Sequence, residues 1–222
     1  MSKAQDRQDV VRKIHNAADQ YRKHLVGKKF LYVFDGRYIE VIYKRENFRH
    51  LTGVATNLSA KNFYSKAAQR ILAANQISFT PVHPYSLCLK KLQHIGEIAN
   101  MAGSESFMLE EITTDTQTYK FGTTDLHFSL CMNKEKDEFG NDKGDCYVVQ
   151  SLRDEDCFYK SKGVYEVTHI FSKRNDSKKY TDLLWRSSAE ALPIEVDRLL
   201  DASLQQRFHQ TENEMITTGD RE

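Results

Sequence analysis

One ten-residue segment, 45–54, combines the side chains that cleavage of a phosphodiester requires. It follows a predicted β-hairpin and contains two arginines, a histidine and a threonine. Cleavage of RNA through its own 2′-hydroxyl needs a base, an acid and cations near the phosphoryl oxygens. His50 suits the base or the acid near neutral pH, Arg45 and Arg49 suit a forked grip on a phosphate, and Thr52 adds a hydrogen-bond donor. The segment is a candidate site for this chemistry.

The same segment also has a purely structural interpretation. Phe48 and Leu51 are spaced like anchors of a short surface turn between a strand and a helix. On the residues alone this interpretation is favoured, because a single histidine in a turn is usually not catalytic.

Two later segments that are typical of strands carry further polar groups. In the first, Ser151 and Arg153 share one face by the period-two alternation of a strand. In the second, Ser172 and Lys173 begin a basic cluster that would complete a phosphate pocket. The alternatives are an ordinary polar strand end for the first segment and a solvated basic loop for the second.

Charge is distributed unevenly along the chain, although the formal net charge of the 222 residues is only +1. Residues 1–95 contain 17 Lys and Arg against 6 Asp and Glu, a formal charge of +11, and residues 96–222 contain 15 against 25, a formal charge of −10. This asymmetry predicts either a basic surface for a polyanion or two halves that neutralise each other.

Several classes of function lack any motif in the sequence. There is no P-loop, no G-x-G-x-x-G and no carboxylate pair of the two-metal nuclease type. The histidines and cysteines have no zinc-ligand spacing, so we expect no metal and no cofactor. Cys131 and Cys146 are expected on neighbouring strands, but the four cysteines are interpreted as reduced, mostly buried thiols.

Hydropathy indicates a protein that stays in the cytosol. No apolar run approaches the ~18–20 residues that a membrane span needs. The N-terminus is polar and has no apolar signal core. We therefore expect no membrane partner.

The elements that must position these side chains indicate one α+β domain over residues 1–210 and a frayed tail over 211–222. Helical apolar spacing predicts helices over 5–25, 59–73, 85–101 and 192–208. Two β-rich runs around Asp35-Gly36 predict a hairpin, whose first strand is apolar throughout and so covered on both faces. Further strands are predicted over 107–112, 118–121, 126–132, 146–152 and 164–171. The prediction is N-terminal helices and a β-hairpin packed with a curved antiparallel β-meander, plus a C-terminal helix.

Three strings in the basic half resemble a known group of proteins. They are Lys28-Lys-Phe-Leu-Tyr-Val-Phe, Glu46-Asn-Phe-Arg-His-Leu-Thr-Gly-Val and Leu58-Ser-Ala-Lys-Asn-Phe-Tyr. With shorter pieces such as Ser151-Leu-Arg, they resemble a phage- and prophage-associated group of the barnase–EndoU–colicin–RelE-like (BECR) nuclease superfamily over residues 20–185.

The resemblance implies a fold, an activity and roles for the candidate residues. The superfamily fold places one or two helices before an antiparallel sheet, and its members are mostly metal-independent ribonucleases, often toxins. RNA is then the substrate, a 2′,3′-cyclic phosphate the product, and His50 the base or acid. Catalytic residues vary across the superfamily, so the remaining roles are our hypothesis: phosphate binding by Arg49 and Arg153, transition-state stabilisation by Lys173, and a hydrogen bond from Ser172 or Thr52.

A different hypothesis is a non-catalytic inhibitor or binding protein with the same fold. The acidic later half motivates it, because an acidic face can block a nucleic-acid-binding protein or a host defence protein. An immunity protein is a further possible partner of an active toxin. Plain nucleic-acid binding without cleavage is a third possibility.

Overall fold

The computed structural model describes residues 3–101, 103–187 and 191–208. The predicted tail at 211–222 lies outside these residues. No helix in the described ranges has the length and apolarity needed to cross a membrane.

Most α-helices of the described residues lie in the N-terminal half, and the others lie near the C-terminal end of these residues. They are α1 (Lys3–His24), α2 (Phe48–Thr52), α3 (Ala60–Ala68), α4 (Tyr85–Met101) and α5 (Ile194–Asp197), and further helical turns cover 202–208. In α1, Val10, Ile14, Ala18 and Tyr21 recur at helical spacing and are all fully buried, so one face of this helix enters the core.

Eight strands form one sheet that closes into a barrel. They are β1 (Lys28–Phe34), β2 (Arg37–Ile42), β3 (Phe107–Thr113), β4 (Thr118–Thr124), β5 (Ser129–Lys136), β6 (Asp142–Arg153), β7 (Gly163–Arg174) and β8 (Asp182–Arg186). The strand order is β1-β2-β6-β5-β4-β3-β7-β8, and the pairing of β1 with β7 closes a ring of seven strands. Only the β2–β6 pairing is parallel among the described strands. β8 continues the sheet outside the ring, beside β7.

The main core lies between one face of this sheet and the N-terminal helices. Phe30, Tyr32 and Phe34 of β1 face it. Leu31 and Val33 point the other way, into a second cluster formed with Tyr180 and the residues after 191. The prediction that β1 is covered on both faces is confirmed.

The α+β class is confirmed, and so are the first hairpin and the helices predicted over 5–25 and 85–101. The sheet is more than a meander, because the parallel β2–β6 pair and the β1–β7 pair join segments far apart in sequence. The helix predicted over 59–73 begins after its N-cap Ser59 but ends at Ala68, since Arg70 has a φ of +60°. The helix predicted over 192–208 is broken near Leu200, which pairs with Tyr180 in a β-bridge.

All four cysteines are free. β5 and β6 are neighbours, as expected, but Cys131 lies opposite Ser151 and not opposite Cys146. The predicted loop between these strands is shorter than expected, because β5 extends to Lys136 and β6 starts at Asp142.

Candidate active site

The segment 45–54 is both a core anchor and a pocket wall. Phe48 and Leu51 of α2 are fully buried, and the Asn47 side chain donates to the Val149 carbonyl of β6 at 2.8 Å. The helix ends at Gly53, which has a φ of +71°, a conformation that glycine adopts without strain. His50 lies on the exposed side of α2, so the structural role of this segment leaves the His50 side chain accessible.

A cavity of about 260 Å³ opens beside α2. Its walls are residues 53–56 and four basic residues, Arg49, His50, His83 and Lys91. His83 comes from the loop before α4, where its backbone N–H donates to the Thr80 hydroxyl at 3.1 Å. Lys91 comes from the second turn of α4. Three separate chain segments therefore bring basic groups to one pocket, which we call the basic pocket.

Lys91 is a partly buried cation of the basic pocket. A Cβ at Gly53 would lie 2.9 Å from Cδ of Lys91, so the absence of a side chain at position 53 lets the lysine stem cross the end of α2. Burial, and then the nearby charge of Arg153, lower the pKa of Lys91. No carboxylate in the described residues pairs with its ammonium group. A bound anion would offset both the burial and the repulsion.

The pKa of His50 is lowered by partial burial and by the charges of Arg49, Lys91 and His83. Three basic neighbours disfavour a further positive charge. The neutral imidazole is therefore favoured, and this is the form that can accept a proton from a hydroxyl group.

Arg153 is the last residue of β6. Its Nη2 donates to the hydroxyls of Thr114 and Thr116 at 3.2 and 3.3 Å. Its charge contributes to the lowered pKa of Lys91. Arg153 does not line the basic pocket itself, but its charge acts on Lys91 in the pocket wall.

Three other predicted residues lie outside the pocket wall. The Thr52 side chain is fully buried, and its hydroxyl donates to the Arg49 carbonyl at 2.7 Å. Arg45 lines a separate cavity of about 320 Å³ beside α3. Ser151 lies opposite Cys131 in the β5–β6 pair.

Ser172 and Lys173 are not brought to the basic pocket by any contact in the described residues. Ser172 pairs with Phe30 across the β1–β7 ladder, so it faces the main core. Lys173 faces the other side, where its ammonium group donates to the Lys178 carbonyl at 3.1 Å and lies 4.5 Å from the centre of the Tyr180 ring. Their roles stay predictions from the sequence.

Sequence reasoning missed His83 and Lys91. His83 stands in the string Pro81-Val-His-Pro84, where two prolines restrict the loop. That restriction is a weak signal of a positioned side chain. Lys91 is one of two adjacent lysines in α4, and nothing in the sequence distinguishes it from Lys90.

A larger cavity, about 690 Å³ on the β4–β6 side of the barrel, has a different electrostatic character. It is lined by several lysines, but Lys134 lies 3.5 Å from Asp142 and Lys120 lies 3.1 Å from Glu110. Paired charges of this kind leave little net field for a polyanion. Size alone therefore does not select the site.

No group of three or more His, Cys, Asp or Glu within the described ranges is arranged to hold a metal ion. A family model described as phage-Barnase-EndoU-ColicinE5/D-RelE like nuclease4 matches residues 13–186. No curated protein matches the chain, and no solved structure does. The matched residues include the whole wall of the basic pocket and Arg153.

Proposed function

Because this chain belongs to the phage-Barnase-EndoU-ColicinE5/D-RelE like nuclease4 family, we propose that the basic pocket is the active site of an RNA endonuclease. Membership in this family indicates a nuclease. The choice of RNA, the attack by its 2′-hydroxyl and the roles of individual residues belong to the proposal.

One observation carries this proposal: four basic side chains converge on the basic pocket, and none has a carboxylate partner in the described residues. Several other cations of the basic half are neutralised, as the pairs Arg37–Glu110 at 2.8 Å and Lys44–Glu135 at 2.5 Å illustrate. An unpaired cluster of this kind attracts an anion with several oxygens, and a phosphodiester is the anion on which a nuclease acts.

The geometry supports a transesterification with two histidines. Neutral His50 takes the proton of the 2′-hydroxyl, and the 2′-oxygen forms a bond with phosphorus. The bond from phosphorus to the 5′-oxygen breaks, and His83, as the general acid, donates a proton to that leaving oxygen. The products are a 2′,3′-cyclic phosphate and a 5′-hydroxyl, so atoms and protons balance.

Lys91 and Arg49 would stabilise the charge that develops on the non-bridging oxygens during this step. Lys91 supplies a half-buried point charge, and such a charge acts more strongly than one in open water. Arg49 is held by its own contact, since its Nη1 donates to the Leu58 carbonyl at 3.0 Å. Arg153 would bind a neighbouring phosphate of the same strand.

Cleavage of a fluorescent RNA in the presence of EDTA tests this function. We expect cleavage by the full chain and a loss of about 10²–10⁴-fold in rate for His50→Ala or His83→Ala. A DNA of the same sequence should stay intact, because it lacks the attacking hydroxyl. His24→Ala is the matched control, since His24 lies at the end of α1 and outside the basic pocket.

Two results would contradict the proposal: RNA left uncut by the wild-type chain, or cleavage that does not depend on either histidine. Growth-neutral expression in bacteria, together with capture of one nucleic-acid-binding or host defence protein, would favour the inhibitor hypothesis. The proposal places the enzyme in the cytoplasm of a bacterial host, where RNA is its substrate.

A further inference from the structure

A second cavity lies directly beside the basic pocket and differs from it in electrostatic character. It has a volume of about 300 Å³ and is lined by 56–58 and 75–78. Its wall contains amide, hydroxyl and aliphatic side chains and no charged one. We call it the neutral pocket.

The two pockets share a wall. Thr56 lines both of them, and Ala55 pairs with Ser78 in an antiparallel bridge with hydrogen bonds of 3.2 and 2.8 Å. Arg49, a residue of the basic pocket, donates to the carbonyl of Leu58, a residue of the neutral pocket. A ligand whose phosphate occupies the basic pocket would therefore reach the neutral pocket with its adjoining part.

The shared wall is held in place by internal hydrogen bonds. The Thr56 hydroxyl donates to the Gln76 carbonyl at 2.6 Å and accepts from the Leu58 backbone N–H at 3.2 Å. The Gln76 side chain is also occupied, since its Oε1 accepts from the Ala73 backbone N–H at 3.0 Å. The shape of the neutral pocket is thus set before any ligand arrives.

Two amide side chains on this fixed wall have no partner of their own. Within the described residues, neither Asn57 nor Asn75 makes a side-chain hydrogen bond, and both side chains are exposed. Each amide offers donors and an acceptor side by side. Leu58, which is partly exposed, supplies apolar surface in the same pocket.

We infer that the neutral pocket is a nucleobase subsite, which selects the base next to the phosphate in the basic pocket. A base in single-stranded RNA presents a flat apolar face and an edge of donors and acceptors. The apolar surface would meet the face, and Asn57 and Asn75 would read the edge, as side-chain amides do when they recognise a base. This inference rests on the proposed function, because it places the phosphate in the basic pocket.

Equilibrium binding of small ligands to the full chain tests the subsite without requiring cleavage. The ligands are inorganic phosphate and the four nucleoside 3′-monophosphates. We expect at least one nucleotide to bind about tenfold or more tightly than phosphate, and the nucleotides to differ from one another. In the Asn57→Ala/Asn75→Ala double variant, that nucleotide should bind no better than phosphate, while phosphate affinity stays unchanged.

Asn62→Ala is the matched control, because Asn62 is an exposed asparagine of α3 outside both pockets. It should keep the preference of the wild type. The nucleobase subsite would be contradicted if the nucleotides bound no tighter than phosphate, or if the preference survived in the double variant. Neither result would contradict the proposed function. Phosphate binding that is unaffected by Lys91→Ala would instead remove the proposed function, whatever the nucleotides do.

Discussion

Lys91 of α4 crosses the end of α2 where Gly53 has no side chain, with only 2.9 Å between its Cδ and the position that a Cβ would occupy. Gly53 thus has two functions. It closes α2 with a φ of +71°, and it leaves the space through which the Lys91 ammonium group reaches the basic pocket. The first function concerns stability, and the second concerns the chemistry of the pocket.

Gly53→Ala separates these two functions. The positive φ should cost about 1–2 kcal/mol of unfolding free energy, and the added methyl group should displace Lys91 and weaken phosphate binding. Gly36→Ala is the matched control, because Gly36 has a φ of +65° with nothing within 4 Å of its Cβ position. Urea unfolding should show similar losses for both variants, whereas phosphate titration should show a loss for Gly53→Ala only. Equal phosphate affinities would argue against a role for the Lys91 position.

Lys91→Ala should raise the pKa of His50, because it removes one of the positive charges that lower it. The imidazole proton signals of His50 in an NMR titration report this directly. Lys90→Ala is the control, since Lys90 pairs with Asp154 and does not line the basic pocket. An unchanged His50 pKa in Lys91→Ala would mean that the two groups are not coupled.

The rate of RNA cleavage should fall on the acid side with a midpoint below 6.5, the ordinary pKa of histidine. Protonation of His50 removes the base, and its lowered pKa delays that protonation to a lower pH. In Lys91→Ala the pKa of His50 should be higher, so the midpoint of the fall in rate on the acid side should lie at a higher pH than in the wild type. A midpoint above 6.5 in the wild type would exclude His50 in this environment as the base.

Arg153→Gln should reduce the salt dependence of binding to a non-cleavable single-stranded oligonucleotide. Loss of one phosphate contact should lower the slope of log affinity against log salt by about 0.7. Lys173→Gln tests the alternative prediction from the sequence, in which the nucleic acid contacts Lys173. A lowered slope in Lys173→Gln, with no change in Arg153→Gln, would move the nucleic-acid surface to β7.

Glu40 should contribute stability at neutral pH that is lost in acid. Burial alone would raise its pKa, but the hydrogen bonds from Tyr180 at 2.7 Å and Lys29 at 3.0 Å outweigh burial and lower it. A lowered folded-state pKa means that this stability is present above the unfolded pKa and disappears as pH falls through the folded one.

Tyr180→Phe should therefore destabilise the chain at pH 7 by about 1–3 kcal/mol, since a hydrogen bond to a charged group is lost. Urea unfolding at pH 7 and in acid measures the difference, which should shrink once Glu40 is protonated. Tyr159→Phe is the control, because Tyr159 is fully exposed. A difference that is independent of pH would show that Glu40 is not its cause.

The sequence predicts local features of this fold well. The apolar run of β1 indicated coverage on two faces, and the Asp35-Gly36 step indicated the hairpin, because both signals depend on neighbours in the chain. The β1–β7 and β2–β6 pairings depend on segments more than a hundred residues apart, and alternation within one strand carries no information about its partner. The sequence therefore predicted a meander of strands that are neighbours in the chain. The structure is instead a barrel that the β1–β7 pairing closes.

The same division applies to the site. His50 and Arg49 stand together in one short string, whereas His83 and Lys91 reach the basic pocket only because α4 packs on α2. Ser172 and Lys173 are adjacent in sequence, but a strand directs neighbouring side chains to opposite faces. Their grouping with His50 rested on the resemblance, and no contact in the described residues supports it.

The barrel cannot close in the order in which its strands are synthesised, because β1 must wait for its partner β7. β1 leaves the ribosome early, but its partner β7 follows more than a hundred residues later, and the β6 strand that supports α2 through Val149 is also late. Non-local pairings of this kind form slowly, because a long loop must close first. A nascent or truncated chain that lacks β7 therefore cannot close the barrel, and we expect it to remain inert until translation has passed this strand.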